Sequence, residues 1–293
     1  MSLPGFLSRV LEDPPPAYVF ELSEAGVAYS TKKGDLQFRQ FDPDVLSVSP
    51  AKDNVLRPEA FAAAIASLTP GPSKGKRRPA AVILPDHSAR VQVLDFDSFP
   101  ANAEDQTGLV RFRVRKTVPF DIDSATVSYH VQHASQTGRK KVEVVAAVMS
   151  LDIIARYEAA FRSVGFVPGL VTTSAMAALN LMPPVGRNIL VKLSGRILSV
   201  LAADGARLKM VRTVEMEDVN SDEILAVLHP TLAYLEDEMA SKVDRIYLCG
   251  FGPNPACDFD VDVPIEPLQS RRGAPNQYNA GILGYLESAG GLQ

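Results

Sequence analysis

The chain has 293 residues, 46% of them hydrophobic and 22% charged, with a formal net charge of −4. That composition is ordinary for a folded globular protein and allows one large domain or two modest ones, while the negative charge gives no electrostatic reason to expect nucleic-acid binding. Two cysteines, Cys249 and Cys257, with no second pair argue against a disulfide framework or a zinc site and fit a reducing, cytosolic setting.

Taken in chain order, residues 1–16 read as a separate N-terminal segment ending in Pro14-Pro15-Pro16. Phe6, Leu7, Val10 and Leu11 could line one face of a short helix, and the stretch lacks the basic end and long apolar centre of a signal peptide. A three-strand meander follows at Ala17–Leu22, Val27–Ser30 and Leu36–Phe41, with Lys33-Gly34-Asp35 supplying a turn. Pro58–Leu68 reads as a helix with proline in its first turn, Ala80–Leu84 and Arg90–Phe96 as strands. Glu104–Lys116 is open between two readings. Val110, Phe112 and Val114 alternate with Arg111, Arg113 and Arg115, which suggests a strand, but its length without breakers also allows a helix.

Thr126–Ala134 and Lys141–Met149 read as strands joined near Gly138, Leu151–Val164 as an amphipathic helix ended by Gly165, and Thr173–Leu181 as another helix. Asn188–Val214 repeats the opening meander: strand, tight turn at Ser194-Gly195-Arg196, strand, Asp204-Gly205 turn, strand. Ser221–Lys242 is helical with a break or kink at Pro230, Ile246–Cys249 is a strand leading into Gly250-Phe251-Gly252, and Asn279–Ser288 closes the chain as a helix. When the meanders are aligned, Leu22-Ser23 falls on Leu193-Ser194. A repeated layout of sheet and helix implies two related halves with a cleft between them.

The ordered set "TVPFDIDSATVSYHVQ", "VEVVAAVMSLDIIARYEAAFRSVGFVPGLVTTSAMAALNLM", "NILVKLSGRILSVLAADGARLKMVRTV", "RIYLCGFGPN" and "NAGILGYLES" resembles the PilM family of actin-like proteins of type IV pilus assembly. It is more distantly similar to FtsA and to the cytoplasmic part of type II secretion L proteins. The resemblance runs from about Tyr18 to the end. It implies an α/β fold of the actin-like (ribonuclease H-like) class, duplicated into halves at 17–185 and 186–293. The first half would carry an inserted subdomain at about 87–168. The family normally has a second small subdomain between Thr213 and Ile246, but here the chain runs through one helical stretch to the next strand, so that subdomain would be reduced. It also implies a cytoplasmic protein held at the inner membrane through partners. Those partners would be the short cytoplasmic tail of a PilN-like membrane protein and other pilus or secretion components, with no nucleic acid and no small-molecule substrate.

The departures from the family concern the nucleotide cleft. The two phosphate hairpins usually read Asp-x-Gly; here they read Glu21-Leu22-Ser23 and Lys192-Leu193-Ser194. Glycine lets backbone N–H groups approach phosphate, and a magnesium ion needs carboxylates. Glu21 could serve that ion and Lys192 could not, although it could meet a phosphate as a point charge. Glu21, Ser23, Lys192, Ser194, Gly250 and Gly252 therefore form a degenerate cleft: no ATP cofactor and no hydrolysis are expected, with an active ATPase using Glu21 and Ser194 in altered roles as the alternative. Across this cleft the ammonium of Lys192 is expected to satisfy Glu21 directly or through water, with a Lys192 that points to solvent from the hairpin edge as the alternative.

The remaining signals are weaker. His87, His130, His133 and His229 make no metal pattern, and Ser194 has no assignable histidine for nucleophilic chemistry. Arg111, Arg113, Arg115, Lys116, Arg139, Lys140 and Lys141 make the inserted region locally basic. The charges read as a solvated face, as a docking site for an acidic or membrane-proximal peptide, or as a nucleic-acid site, against which stand the lack of a stacking-aromatic motif and the negative total charge; the resemblance favours docking, with Arg111, Phe112, Arg115 and Phe120 in a groove for an extended peptide.

Overall fold

The opening meander forms as β1 (Tyr18–Ser23), β2 (Gly26–Thr31) and β3 (Gln37–Gln40), followed by α1 (Pro58–Leu68) and β4 (Arg78–Leu84). Next come β5 (Arg90–Phe96), α2 (Ala103–Val114), β6 (Ala125–Gln132) and β7 (Val142–Ser150). The chain continues through α3 (Leu151–Ser163), β8 (Phe166–Thr173) and α4 (Ser174–Ala178), which runs on as a 3-10 turn to Leu181. The second half holds β9 (Arg187–Ser194), β10 (Ile197–Asp204), β11 (Arg207–Glu215), α5 (Ser221–Met239), β12 (Arg245–Cys249), β13 (Ile265–Pro267) and α6 (Ala280–Gly290). This computed structural model describes residues 15–69, 71, 78–132, 141–239, 242–252 and 259–290. Residues 1–14, with Phe6, Leu7, Val10 and Leu11, and also His133, Arg139, Lys140 and Cys257, lie outside the described residues.

Strand pairing confirms the duplication. One sheet runs β3-β2-β1-β4-β8 and the other β11-β10-β9-β12-β13. In each, the first three strands pair antiparallel and the next two join in parallel. The central strands β1 and β9 are buried almost end to end, as strands covered on both faces must be.

Alternation along these strands sorts the core. On the first sheet, Phe20 and Leu22 pack with Phe61 and Ile65 of α1 and with Tyr157 and Phe161 of α3. Val19, Ala81 and Ile83 on the other face meet Ala177 of α4 and Ile282, Tyr285 and Leu286 of α6. On the second sheet, Ile189, Val191 and Val200 cover Ile224, Leu228 and Leu235 of α5. Its opposite face, with Leu190, Leu201 and Tyr247, meets Ala175 and Ala178 of α4 and Ala280 of α6. The helices α4 and α6 are thus a single layer shared by both sheets.

The third sheet, β5-β7-β6, is antiparallel and carries α2 over a core of Leu94, Phe96, Val110, Val114, Val144 and Val148. It ends at Ser150. The expected insertion of about 87–168 also took in α3 and the start of β8, yet α3 packs into the core of the first half and β8 pairs with β4. The second half is tied to this sheet at β11. The side-chain amide of Gln132 donates to the Leu208 carbonyl and accepts from its N–H, both at 2.8 Å. Glu143 accepts from Arg207 and from Lys209, each at 2.6 Å.

The open segment is a helix. Asn102 caps it by accepting from the Glu104 N–H, and Glu104 and Asp105 sit in the first turn, where acids favour a helix N-terminus. Val110 and Val114, four apart, are buried, while Phe112 between them is 73% exposed. β8 has no counterpart among the expected strands; its ladder with β4 skips Gly169, leaving a bulge within a continuous strand. The short β13 is likewise additional. Between β11 and β12 the described residues hold only α5, with Pro230 inside one unbroken helix, in line with the reduced subdomain.

The shared helix layer depends on close contact. A Cβ at Gly284 of α6 would lie 2.1 Å from the Ala177 carbonyl oxygen of α4. On an open helix, glycine to alanine adds about 1 kcal/mol. Gly284→Ala should instead lower stability by about 1–3 kcal/mol through overpacking, measured by urea unfolding; a stabilised variant would show that the two helices do not meet this closely.

Candidate functional site in the cleft

Glu21 and Lys192 occupy matching places. Each lies two residues before the serine that ends its central strand, Ser23 in β1 and Ser194 in β9. Strand alternation sets Glu21 on the face of Val19 and Lys192 on the face of Leu190, so both side chains point into the layer between the sheets. Lys192 is 1% exposed and its Nζ lies 3.2 Å from Asp86 Oδ2, itself 3% exposed. Asp86 opens the 3-10 turn Asp86–Ser88 that follows β4, so the pair joins the second half to the first. The other oxygen of Asp86 accepts from the Ala175 N–H of α4 at 2.6 Å.

The expected direct Lys192–Glu21 hydrogen bond is absent among the described residues: the ammonium bonds Asp86 and acts on Glu21 only through its charge. Glu21 is held by other groups. Its Oε1 accepts from the Ser174 hydroxyl and its Oε2 from the Ile282 N–H at 2.9 Å. A Cβ at Gly281 would stand 3.1 Å from this carboxylate, so glycine there lets α6 close over it. Burial pushes the Glu21 carboxyl up, and the offsetting pull of Lys192, Ser174 and the Ile282 and Gly281 amides does not cancel it. Burial alone would depress the Lys192 ammonium, but Asp86 and then Glu21 outweigh it and hold it above its ordinary value. Cys249 is level with Lys192 on the adjacent strand, and burial pushes its thiol up to about 12. An unreactive neutral thiol is expected at that value. Ser199, opposite Lys192 in register, leaves its buried hydroxyl without a partner among the described residues.

The hairpin tips make other contacts. Ser23 donates to the Gly26 carbonyl at 3.1 Å, closing its own turn. Ser194 donates to the Gln277 carbonyl at 3.4 Å, and the Gly195 N–H donates to Gln277 Oε1 at 3.3 Å. Gly250 has φ +89° and would place a Cβ 2.0 Å from the Leu193 carbonyl oxygen, so close strand packing explains it. With Gly252 it lines a cavity of about 430 Å³, formed also by Phe251, Leu268, Ser270 and Gly273; Glu21, Ser23, Lys192 and Ser194 are not in that lining. The sequence candidates thus divide into a buried centre, Glu21 and Lys192, and a separate cavity at Gly250 and Gly252. Among the described residues no group of three or more His, Cys, Asp or Glu side chains could hold a metal.

Sequence reading missed Asp86 and Ser174. The available signal was an acid directly after an apolar strand, at Leu84-Pro85-Asp86; carboxyl ends of parallel strands are where such sheets place their sites.

The docking candidates also separate. Arg111 is part of the fold: its guanidinium donates to the Ile122 carbonyl at 2.6 Å and the Ala125 carbonyl at 2.9 Å. Phe120 packs against the small-sheet core. Phe112 and Arg115 are exposed.

No protein-family model and no curated protein matches this chain. Solved structures do. The PilM-PilN type IV pilus biogenesis complex matches with a TM-score of 0.71 at 14% identity, over 94% of this chain and 99% of that one. The cytoplasmic domain of EpsL, an inner membrane component of the type II secretion system of Vibrio cholerae, matches with a TM-score of 0.55 at 12% identity, over 94% of each chain. A Bacteroides thetaiotaomicron protein with an actin-like ATPase fold and unknown function matches with a TM-score of 0.52 at 10% identity, over 92% of this chain and 96% of that one. The fold is actin-like.

The charge states of the centre carry a pH signature. Glu21 titrates above its ordinary 4.5 in the fold. A raised acid contributes its stability fully below the unfolded value and loses it as pH rises through the folded value. Glu21→Gln removes that loss. The melting temperature of the variant relative to the native chain should rise steadily as pH increases from 4.5, followed by thermal melts; a difference that stays flat with pH would contradict an elevated Glu21.

Proposed function

We propose that this chain is a non-catalytic scaffold of a type IV pilus or related inner-membrane secretion machine, and that it binds the cytoplasmic tail of a PilN-like membrane protein. The single observation that carries the reading is the Lys192–Asp86 pair at the cleft centre. A magnesium nucleotide needs free carboxylates or their waters for the cation and open backbone N–H groups for phosphate. Here an ammonium stands at one hairpin, Asp86 is bonded to it, and Glu21 is bonded by Ser174 and Ile282. Gln277 covers the Gly195 N–H. These residues do not fit magnesium ATP.

A binding role is supported by the likeness to the PilM-PilN complex and to EpsL, and by the exposed Phe112 and Arg115 on α2. No described helix is long and apolar enough to cross a membrane, which suits attachment through a partner.

The test is titration of a synthetic PilN-like cytoplasmic tail into the protein, with and without ATP and magnesium. Binding of equal strength under both conditions is expected, and ATP should leave the melting temperature unmoved. A nucleotide at a hundred times its dissociation constant would add about 2.7 kcal/mol of stability; such a gain, or tail binding that requires ATP, would favour the active ATPase, and absence of tail binding would remove the scaffold reading.

A further inference from the structure

The turn from β2 to β3 reads Lys32-Lys33-Gly34-Asp35-Leu36 and is held in one shape. The Gly34 N–H donates to the Thr31 carbonyl at 3.2 Å, and Ser30 donates to the Gly34 carbonyl at 3.1 Å. The loop after β13 reaches this turn from the second half: the Arg272 guanidinium donates to the Lys32 carbonyl at 3.2 Å, across 240 positions of sequence. That loop is itself anchored on α6, where Glu287 accepts from the Ser270 hydroxyl at 2.6 Å and from the Arg271 N–H at 2.8 Å. Two distant segments thus bring Lys32, Lys33, Arg271 and Arg272 to one edge of the fold. Lys33, Arg271 and Arg272 are exposed, and none of the four cations makes an ion pair among the described residues. Against them stand Asp35 in the turn and Glu287, which the loop already engages. Leu36, beside Asp35, is 41% exposed.

The chain enters the fold at this same edge. Tyr18 is paired with Thr31, so the start of β1 lies beside Lys32, and the Pro16 carbonyl accepts from the Tyr285 hydroxyl of α6 at 2.9 Å. The residues before it include Phe6, Leu7, Val10 and Leu11 but only one cation, Arg9, with Glu12 and Asp13 beside it. An apolar segment without basic residues is a weak anchor for a lipid surface. The fold supplies, at the point where that segment joins it, the cations that the segment lacks.

We propose that this edge rests on an anionic lipid surface, with Lys32, Lys33, Arg271 and Arg272 among the headgroups and the apolar side chains of residues 1–14 in the interface. Lysine and arginine are attracted to anionic lipids within about a Debye length, so the acids on the rest of the chain are largely screened from the contact. Stable attachment to a bilayer takes two weak signals acting together, and a basic patch beside an apolar segment provides both. An acidic protein segment would be served by the cations alone and would leave the neighbouring apolar residues unused. The proposal goes beyond the scaffold reading and does not depend on it: the chain would touch the membrane itself, whichever partner it binds.

The probe is a vesicle of phosphatidylglycerol mixed with phosphatidylcholine, and the control is phosphatidylcholine alone. In co-sedimentation the full chain should bind the anionic vesicle, at least about tenfold more weakly the neutral one, and less as salt is added. Lys33→Glu with Arg271→Glu should weaken anionic binding about tenfold or more, and Phe6→Ser with Leu7→Ser should weaken it comparably. The same charge change at the exposed Lys52 and Lys242 should leave it unchanged, which separates the patch from net charge. Thermal melts establish that each variant is folded. Equal binding to both vesicles, or anionic binding that either of the first two pairs leaves intact, would overturn the proposal. Absence of vesicle binding, with a polyglutamate peptide bound through Lys33 and Arg271, would assign the cations to an acidic protein segment instead. A PilN-like tail should bind the native chain and both pairs of variants equally, so failure on vesicles leaves the scaffold reading standing, and failure of the tail leaves the membrane contact standing.

Discussion

A buried ammonium and a buried carboxylate, Lys192 and Asp86, meet between two sheets that share no strand. Taking either charge out of water costs several kcal/mol, so the pair is poor evidence of net stability, and apolar replacements could serve the core as well or better. Its consequence is geometric. Neither charge tolerates burial alone, so the two halves are committed to one relative placement. Asp86 is also bonded to the first turn of α4, and Ser174 in that turn is bonded to Glu21. Glu21 in turn receives the Ile282 N–H of α6. One chain of contacts therefore runs from β9 through the turn after β4 and α4 to β1 and α6.

The rest of the architecture reinforces that placement. α4 and α6 fill the space between the sheets, and Gly281 and Gly284 let them approach carboxylate and backbone directly. The small sheet grips β11 through Gln132 and Glu143, both shielded from solvent to a large extent. By contrast, exposed pairs such as Arg245–Glu266 contribute little, because water and salt screen them.

Much of this was legible in the residues. The two meanders, their Leu-Ser alignment and the short connection from β11 to β12 gave the duplication and the reduced second subdomain, because hairpin turns and strand periodicity are local signals. The places of Glu21 and Lys192 followed from that alignment. The partner of Lys192 did not: Asp86 lies 106 positions away in the chain, and no local pattern reports which of two acids a lysine meets. α2 hid behind arginine–valine alternation, which a helix satisfies through Val110 and Val114 while leaving Phe112 outside. β8 carries proline and glycine inside its span, which weaken a strand signal, and only its pairing with β4 across the bulge at Gly169 defines it. Arg111 looked like a free surface charge until the carbonyls of Ile122 and Ala125 came within its reach, a tertiary fact.

The central claim is that Lys192 and Asp86 act as one unit across the cleft, and a double-mutant cycle with Lys192→Met and Asp86→Asn, read by denaturant unfolding, tests it most directly. Each single change should cost about 3–5 kcal/mol by stranding a buried partner, and the double variant should cost much less than the sum. Additive costs, within about 0.5 kcal/mol, would show that the two side chains are independent and that the cleft is held by something else.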